Sequence, residues 1–66
     1  MDIQLNGAPH SVAHAQTLAQ LIESLALSRQ SLAVAVNREI VPRQLWSQHP
    51  LQSGDRIDIV RAIGGG

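Results

Sequence analysis

An α+β fold is predicted for these 66 residues, with one main helix packed across one face of a mixed sheet of four to five strands. Three observations predict it. Segments at both ends and in the middle alternate with the two-residue period of strands, one segment alone carries the i, i+3, i+4, i+7 spacing of an amphipathic helix, and short turn signals separate the strands. A hairpin followed by one helix and then further strands must bury the helix stripe against the apolar face of the sheet.

Taken in order, Met1, Ile3 and Leu5 alternate with Asp2 and Gln4, and Asn6-Gly7 then gives the strongest short hairpin signal. The return arm runs from Ala8 to about Val12, and Pro9, which has no N–H to donate, marks it as an edge strand or a strand start. Ala13 to Gln16 is a connection. Thr17 precedes Leu18, Leu21, Ile22 and Leu25, the buried stripe of a helix over about 17–26, and Thr17 with Gln20 fits a capping box. Polar residues from Ser28 to Ser31 end it. Leu32, Val34 and Val36 alternate with Ala33 and Ala35 in a strand that is apolar on both faces. Asn37-Arg38-Glu39 is turn chemistry, Ile40 and Val41 form a short return strand, and Pro42 stops it. Arg43 to Trp46 has room for one helical turn, and the loop through His49-Pro50 reads as irregular. Ser53-Gly54-Asp55 turns the chain into a last strand, Arg56 to Ile63, with Ile57 and Ile59 on one side and Asp58 and Val60 on the other. With the first and last strands side by side in the centre and a right-handed crossover through the helix, the arrangement is the β-grasp, the fold of ubiquitin-like proteins. Residues 1–63 form that domain, and 64–66 a flexible C-terminal glycine tail.

Composition narrows the function. A chain of this size has one small core and little interior for a catalytic cavity. There is no Cys, so neither disulfides nor thiolate chemistry are available, and no Lys. Five arginines balance five acidic residues and Trp46 is the only aromatic residue, so neither a phosphate-tracking stripe nor a base-stacking platform exists and no nucleic-acid partner is expected. No apolar run approaches a membrane span, and no basic then apolar leader follows Met1; no membrane partner is expected, and a soluble cytoplasmic protein is. His10 and His14 straddle a strand end and a loop, and read as surface or half-buried side chains, with no metal site expected. No usable acid accompanies Ser11 and His14 as a triad would require. Trp46 reads as a plug at the edge of the core, and Arg43, Arg56 and Arg61 as solvated charges, with Arg61 placed to meet an acidic rim on a partner. Ala33, Ala35 and Val60 put small apolar surface on the sheet face away from the helix, either as packing or as a docking patch.

The sequence stops on Gly64-Gly65-Gly66 directly after an apolar strand. Without a Cβ these residues fit a slot too narrow for any other, and three of them span roughly 10 Å when stretched. They open no helix, which excludes a phosphate-cradling loop. A frayed end or leftover linker is the plain alternative to a reactive terminus.

The run Val36-Asn37-Arg38-Glu39-Ile40-Val41-Pro42-Arg43-Gln44-Leu45-Trp46, with Leu51, Gly54-Asp55 and the closing Ile63-Gly64-Gly65-Gly66, resembles the ubiquitin-like sulfur carriers, and within them the ThiS carriers of thiamine biosynthesis. The similarity covers essentially the whole chain. Its Asn-x-x-x-Val-Pro-Arg-x-x-Trp segment is the more specific part, while the Gly-Asp turn and terminal glycine pair are shared with related carriers. Gly64 is an extra glycine where relatives often have a small residue. The resemblance implies a protein cosubstrate rather than an enzyme. Its Gly66 carboxylate would be adenylated and then converted to a thiocarboxylate, with Val60, Arg61, Ile63, Gly64 and Gly65 engaged by partners. No cofactor would be bound; ATP and Mg²⁺ would be used by the activating partner. The partners implied are an adenylating, ubiquitin-activating-like enzyme, thiazole synthase, and a sulfur donor such as a cysteine desulfurase or sulfur transferase. A carrier for molybdenum-cofactor synthesis or another sulfur pathway, and a passive ubiquitin-like interaction module, are the alternatives.

Overall fold

A computed structural model of the chain describes residues 1–27 and 30–61. The expected continuation of the last strand through Ile63 and the glycine tail 64–66 lie outside the described residues. Along the chain come β1 (Asp2–Leu5), β2 (Ala8–Ser11), α1 (Leu18–Ser24), β3 (Leu32–Val36), β4 (Glu39–Ile40), a 3₁₀ helix (Arg43–Gln48) and β5 (Arg56–Arg61). The sheet has the order β2-β1-β5-β3-β4, with β1 and β5 parallel and the other pairs antiparallel. This is the arrangement the sequence predicts: first and last strands together in the centre and one α-helix crossing between β2 and β3.

The local causes are visible. Asn6 and Gly7 have φ of +50° and +83°, the left-handed pair that matches a two-residue turn to strand twist. Pro9 sits on edge strand β2 opposite Gln4. The capping box is complete: Thr17 Oγ1 accepts from the Gln20 N–H at 3.2 Å and Gln20 Oε1 from the Thr17 N–H at 2.9 Å. Leu18, Leu21 and Ile22 of α1 bury against Ile3, Val34, Val36 and Ile57 of the sheet, and Val12, Trp46 and Leu51 close the rim.

Two boundaries differ from the sequence reading. The helix is shorter than residues 17–26, because Ala26 takes φ +59° and its N–H returns to Glu23 O at 3.0 Å while Leu27 N–H returns to Ile22 O at 3.2 Å. That is a Schellman ending, which turns Leu25 and Leu27 back against the core. The second turn is two residues, Asn37 and Arg38 at φ +50° and +71°, so β4 begins at Glu39 and not after it. The stretch through Pro50 forms no helix or strand of its own, as expected, yet it is tied down by an isolated bridge between Thr17 and Pro50. His49 O accepts from the Leu18 N–H and Gln16 O from the Leu51 N–H, both at 2.8 Å, which fastens this stretch across the start of α1.

These directions sort the molecule into two poles. The ends of β1, α1 and β5, with Gln30 and the start of β3, share one pole. The opposite pole holds the end of β3, the Gly54-Asp55 turn and the start of β5.

Candidate functional site at the end of the central strand

The chain reaches its last five residues by way of β5, and β5 is gripped on both sides. β1 pairs with its first half, Gln4 opposite Arg56 and Leu5 opposite Ile57. Where β1 stops, Asn6 continues the grip: its N–H donates to Ile57 O and its Oδ1 accepts the Ile59 N–H, both at 2.8 Å. On the other side β3 pairs with it from Ile57, opposite Val36, to Arg61, opposite Leu32. Backbone partners therefore hold the strand as far as the last described residue.

Val60 and Arg61 are adjacent, and strand alternation sends them to opposite faces. Val60 is 65% exposed on the open face of the sheet, opposite Ala33. Ala35 of the same face lies opposite Ile40, 70% exposed, so the small apolar surface expected there exists and extends to β4. Arg56 and Asp58 make an ion pair across this face at 3.2 Å, solvated enough to contribute little. Arg61 falls on the helix side and donates to Gln30 Oε1 at 2.8 Å. The backbone oxygen of Gln30 in turn accepts from Arg43, whose guanidinium lies 4.6 Å from the centre of the Trp46 ring. Arg43 is thus not simply a solvated charge; it belongs to a chain of contacts running from the core through Gln30 to the root of the tail. Trp46 is the expected plug, 4% exposed, its Nε1 donating to Val41 O at 2.8 Å. Ile63, Gly64, Gly65 and Gly66 lie outside the described residues.

Asn37, Gly54 and Asp55 sit at the far pole, where Arg56, hydrogen-bonded to Asn37, is five residues and so about 17 Å along the strand from Arg61. Asp55 is buried, and its carboxylate accepts from Asn37 Nδ2 at 3.1 Å and from the Gln52 N–H at 2.9 Å. Asn37 Oδ1 accepts the Arg56 N–H at 3.0 Å, while its own N–H donates to Arg56 O at 2.8 Å. Together they buckle the start of β5 to the end of β3. His10 is half-buried on β2 opposite Ile3 and His14 is exposed in the following loop. Among the described residues no group of three or more His, Cys, Asp or Glu side chains is placed to hold a metal ion, and no helix is long and apolar enough to cross a membrane.

A model of the ThiS family matches residues 3–66. The chain belongs to the ThiS family. It is 39% identical over 66 residues, the full length of both chains, to the sulfur carrier protein ThiS of Escherichia coli (strain K12). It is also 38% identical over 66 residues to the thiazole synthase of Magnetococcus marinus, of whose length it spans 20%. Among solved structures, the crystal structure of the thiamine biosynthesis protein ThiS from Geobacter metallireducens superposes with a TM-score of 0.85 at 25% identity, all of each chain being covered.

Within this ThiS-family fold, the segment most specific to the resemblance divides into parts with different work. Asn37 locks the far pole with Asp55 of the Gly54-Asp55 turn, Trp46 donates to Val41, and Arg43 braces Gln30. Asn6 and Gln30, which hold the last strand and Arg61, were not singled out by sequence reasoning. Asn6 was already explained by its turn, and Gln30 stands in a polar linker with no periodicity to mark it.

Proposed function

We propose that this chain is a sulfur carrier of thiamine biosynthesis and that its reacting group is the α-carboxylate of Gly66. The observation that carries the reading is the full-length likeness to the Escherichia coli sulfur carrier within a family match that runs to residue 66. The geometry supports it: the most firmly paired strand of the sheet leads into the glycines.

The chemistry follows from the poor electrophilicity of a carboxylate. One carboxylate oxygen attacks the α-phosphorus of ATP in an adenylating, ubiquitin-activating-like partner. Pyrophosphate leaves and the acyl-adenylate remains, with Mg²⁺ of the partner neutralising phosphate charge. A persulfide sulfur from a donor such as a cysteine desulfurase or sulfur transferase attacks the acyl carbon and AMP departs. A partner thiol then cleaves the S–S bond of the acyl disulfide, leaving a thiocarboxylate on Gly66 and a disulfide on the partner. The thiocarboxylate sulfur is a soft, exposed nucleophile suited to thiazole formation by thiazole synthase. Gly64 and Gly65 act as the thread that enters the partner's active site, and Ile63, Arg61 and Val60 as its recognised root. The chain supplies the reacting group and the recognition surface while partners supply the catalysis, in the cytoplasm.

Intact-mass measurement after incubation with ATP, cysteine and cell extract tests this. One oxygen replaced by sulfur, located to Gly66 by fragmentation, is the expected result; an unchanged terminus in an extract that converts the Escherichia coli carrier overturns the reading.

A further inference from the structure

An activated acyl group is open to any nucleophile that its own chain brings near it. When an amine or imidazole attacks the acyl carbon of an adenylate, a C–N bond forms and the acyl–oxygen bond breaks. AMP leaves with the electron pair, and the nitrogen's proton passes to solvent. An amide made this way is a dead end, and an acyl-imidazole is lost to water. We infer that the fold insulates the activated Gly66 from its own chain: the nucleophilic nitrogens are gathered at the pole opposite the tail, so the acyl group survives until a partner's sulfur takes it. The inference rests on the carrier function proposed above and adds how the activated end is preserved.

Composition removes two of the usual attackers, and position removes the rest. The sequence has neither Cys nor Lys, and its five strongly basic side chains are all arginines. A guanidinium stays protonated and has no free lone pair, so Arg61 brings positive charge to the root of the tail without bringing a nucleophile. The nitrogens left are the imidazoles of His10, His14 and His49 and the α-amino group of Met1. Met1 stands three residues before Gln4, which pairs with Arg56, and so lies about 26 Å along the strand direction from Arg61. Its α-ammonium is occupied in donating to Val12 O at 2.8 Å. His10, opposite Ile3, is about 20 Å along the sheet and about 10 Å aside, because β1 separates β2 from β5. His14 follows in the loop beyond Ser11, which pairs with Asp2 at the same pole. His49 accepts the Leu18 N–H on its carbonyl at the start of α1, and shares a hollow with Asn37 and Asp55. The five residues after Arg61 span at most about 18 Å fully extended. Drawn straight back along the sheet they fall short of Met1 and His10, and the other two imidazoles lie at that same far pole. Hydroxyls do occur at the tail's own pole, among them Ser24, whose Oγ donates to Leu21 O at 2.7 Å, and Ser31 beside Leu32. A neutral alcohol is a weak nucleophile without an adjacent base, and every imidazole that could serve as one is at the other end.

The test uses the full chain carrying a small-thiol thioester on Gly66, an activated end that needs no partner, held in mildly alkaline buffer and followed by intact mass. Wild type and His14→Lys are expected to hydrolyse to the free acid. Ser31→Lys puts an amine next to Leu32, which stands opposite Arg61. It is expected to close an amide between the introduced ε-amine and Gly66, one water lighter than the free acid, roughly tenfold or more faster than wild type hydrolyses. Val60→Lys, at a residue 65% exposed, repeats the measurement where folding is not at stake. An amide or covalent dimer from wild type overturns the inference. So does closure by His14→Lys as fast as by Ser31→Lys, or hydrolysis of both tail-pole variants at the wild-type rate. In a second arm the wild-type chain meets the adenylating partner and ATP without a sulfur donor, and pyrophosphate release with no self-adduct is expected. A self-adduct there overturns the insulation, whereas no pyrophosphate release overturns the carrier function and leaves the thioester result standing.

Discussion

Ala26 holds a left-handed backbone, φ +59°, at the position after the helix cap where glycine is the residue of choice. The Schellman bonds require that conformation, and a Cβ there is strained. Ala26→Gly is therefore expected to stabilise the domain by about 0.5–1 kcal/mol despite glycine's greater freedom when unfolded, read as a higher urea midpoint at constant slope. Asn37 presents the opposite case, since it tolerates its φ of +50° and uses both ends of its amide. Asn37→Ala leaves buried Asp55 with one donor fewer and the Arg56 N–H without its side-chain acceptor. A loss of about 1–3 kcal/mol is expected by chemical denaturation. In a 66-residue chain whose whole stability is roughly 3–10 kcal/mol, that is a substantial fraction.

At the scale of elements, what was legible followed from periodicity and short-range chemistry. Met1 to Leu5 announced a strand by alternation, Asn6-Gly7 its turn, and Thr17 with Gln20 the start of the helix. Each signal lies within a few residues of the structure it causes. The hidden features are those set by partners far along the chain. Nothing near Ala26 shows that Leu27 will turn inward, nothing near His49 that its carbonyl will receive the Leu18 N–H, and nothing near Gln30 that Arg61, thirty-one residues on, will find its amide. The site was legible as far as the strand that leads to it, because alternation in 57–60 fixed the faces. The contacts that orient its root depend on tertiary packing. The capping box offers a direct check: Thr17→Ala removes the acceptor for the Gln20 N–H and is expected to cost about 1 kcal/mol, against less for Gln20→Ala, whose amide serves an exposed donor. Leu21, fully buried in α1, sets the upper bound. Leu21→Ala is expected to cost on the order of 2–5 kcal/mol, enough to leave much of the population unfolded at 37 °C by circular dichroism.

Across the whole molecule, the two poles separate the buckle of Asn37 and Asp55 from the end of β5 at Arg61. β5 spans both: it begins in the buckle of Asn37 and Asp55, passes through the core at Ile57, and ends beside Gln30 at Arg61. A rigid central strand transmits position, since its register is fixed by β1 and β3 together, but side chains about 17 Å apart share no partner, and substitutions at such separation add with little coupling. Far-pole substitutions should therefore act through the folded fraction, and tail-pole substitutions through the encounter. Measured at 15 °C, where Asn37→Ala remains folded, its kcat/KM for adenylation is expected to match wild type within about twofold although its unfolding temperature falls by roughly 4–8 °C for each kcal/mol lost. Arg61→Glu should show the reverse, and the double variant should combine the two effects without excess, to within about 0.5 kcal/mol in stability. An Asn37→Ala protein that is fully folded by circular dichroism yet adenylated tenfold more slowly would show instead that strain at the start of β5 is felt at its end, and that the two poles are one mechanical unit.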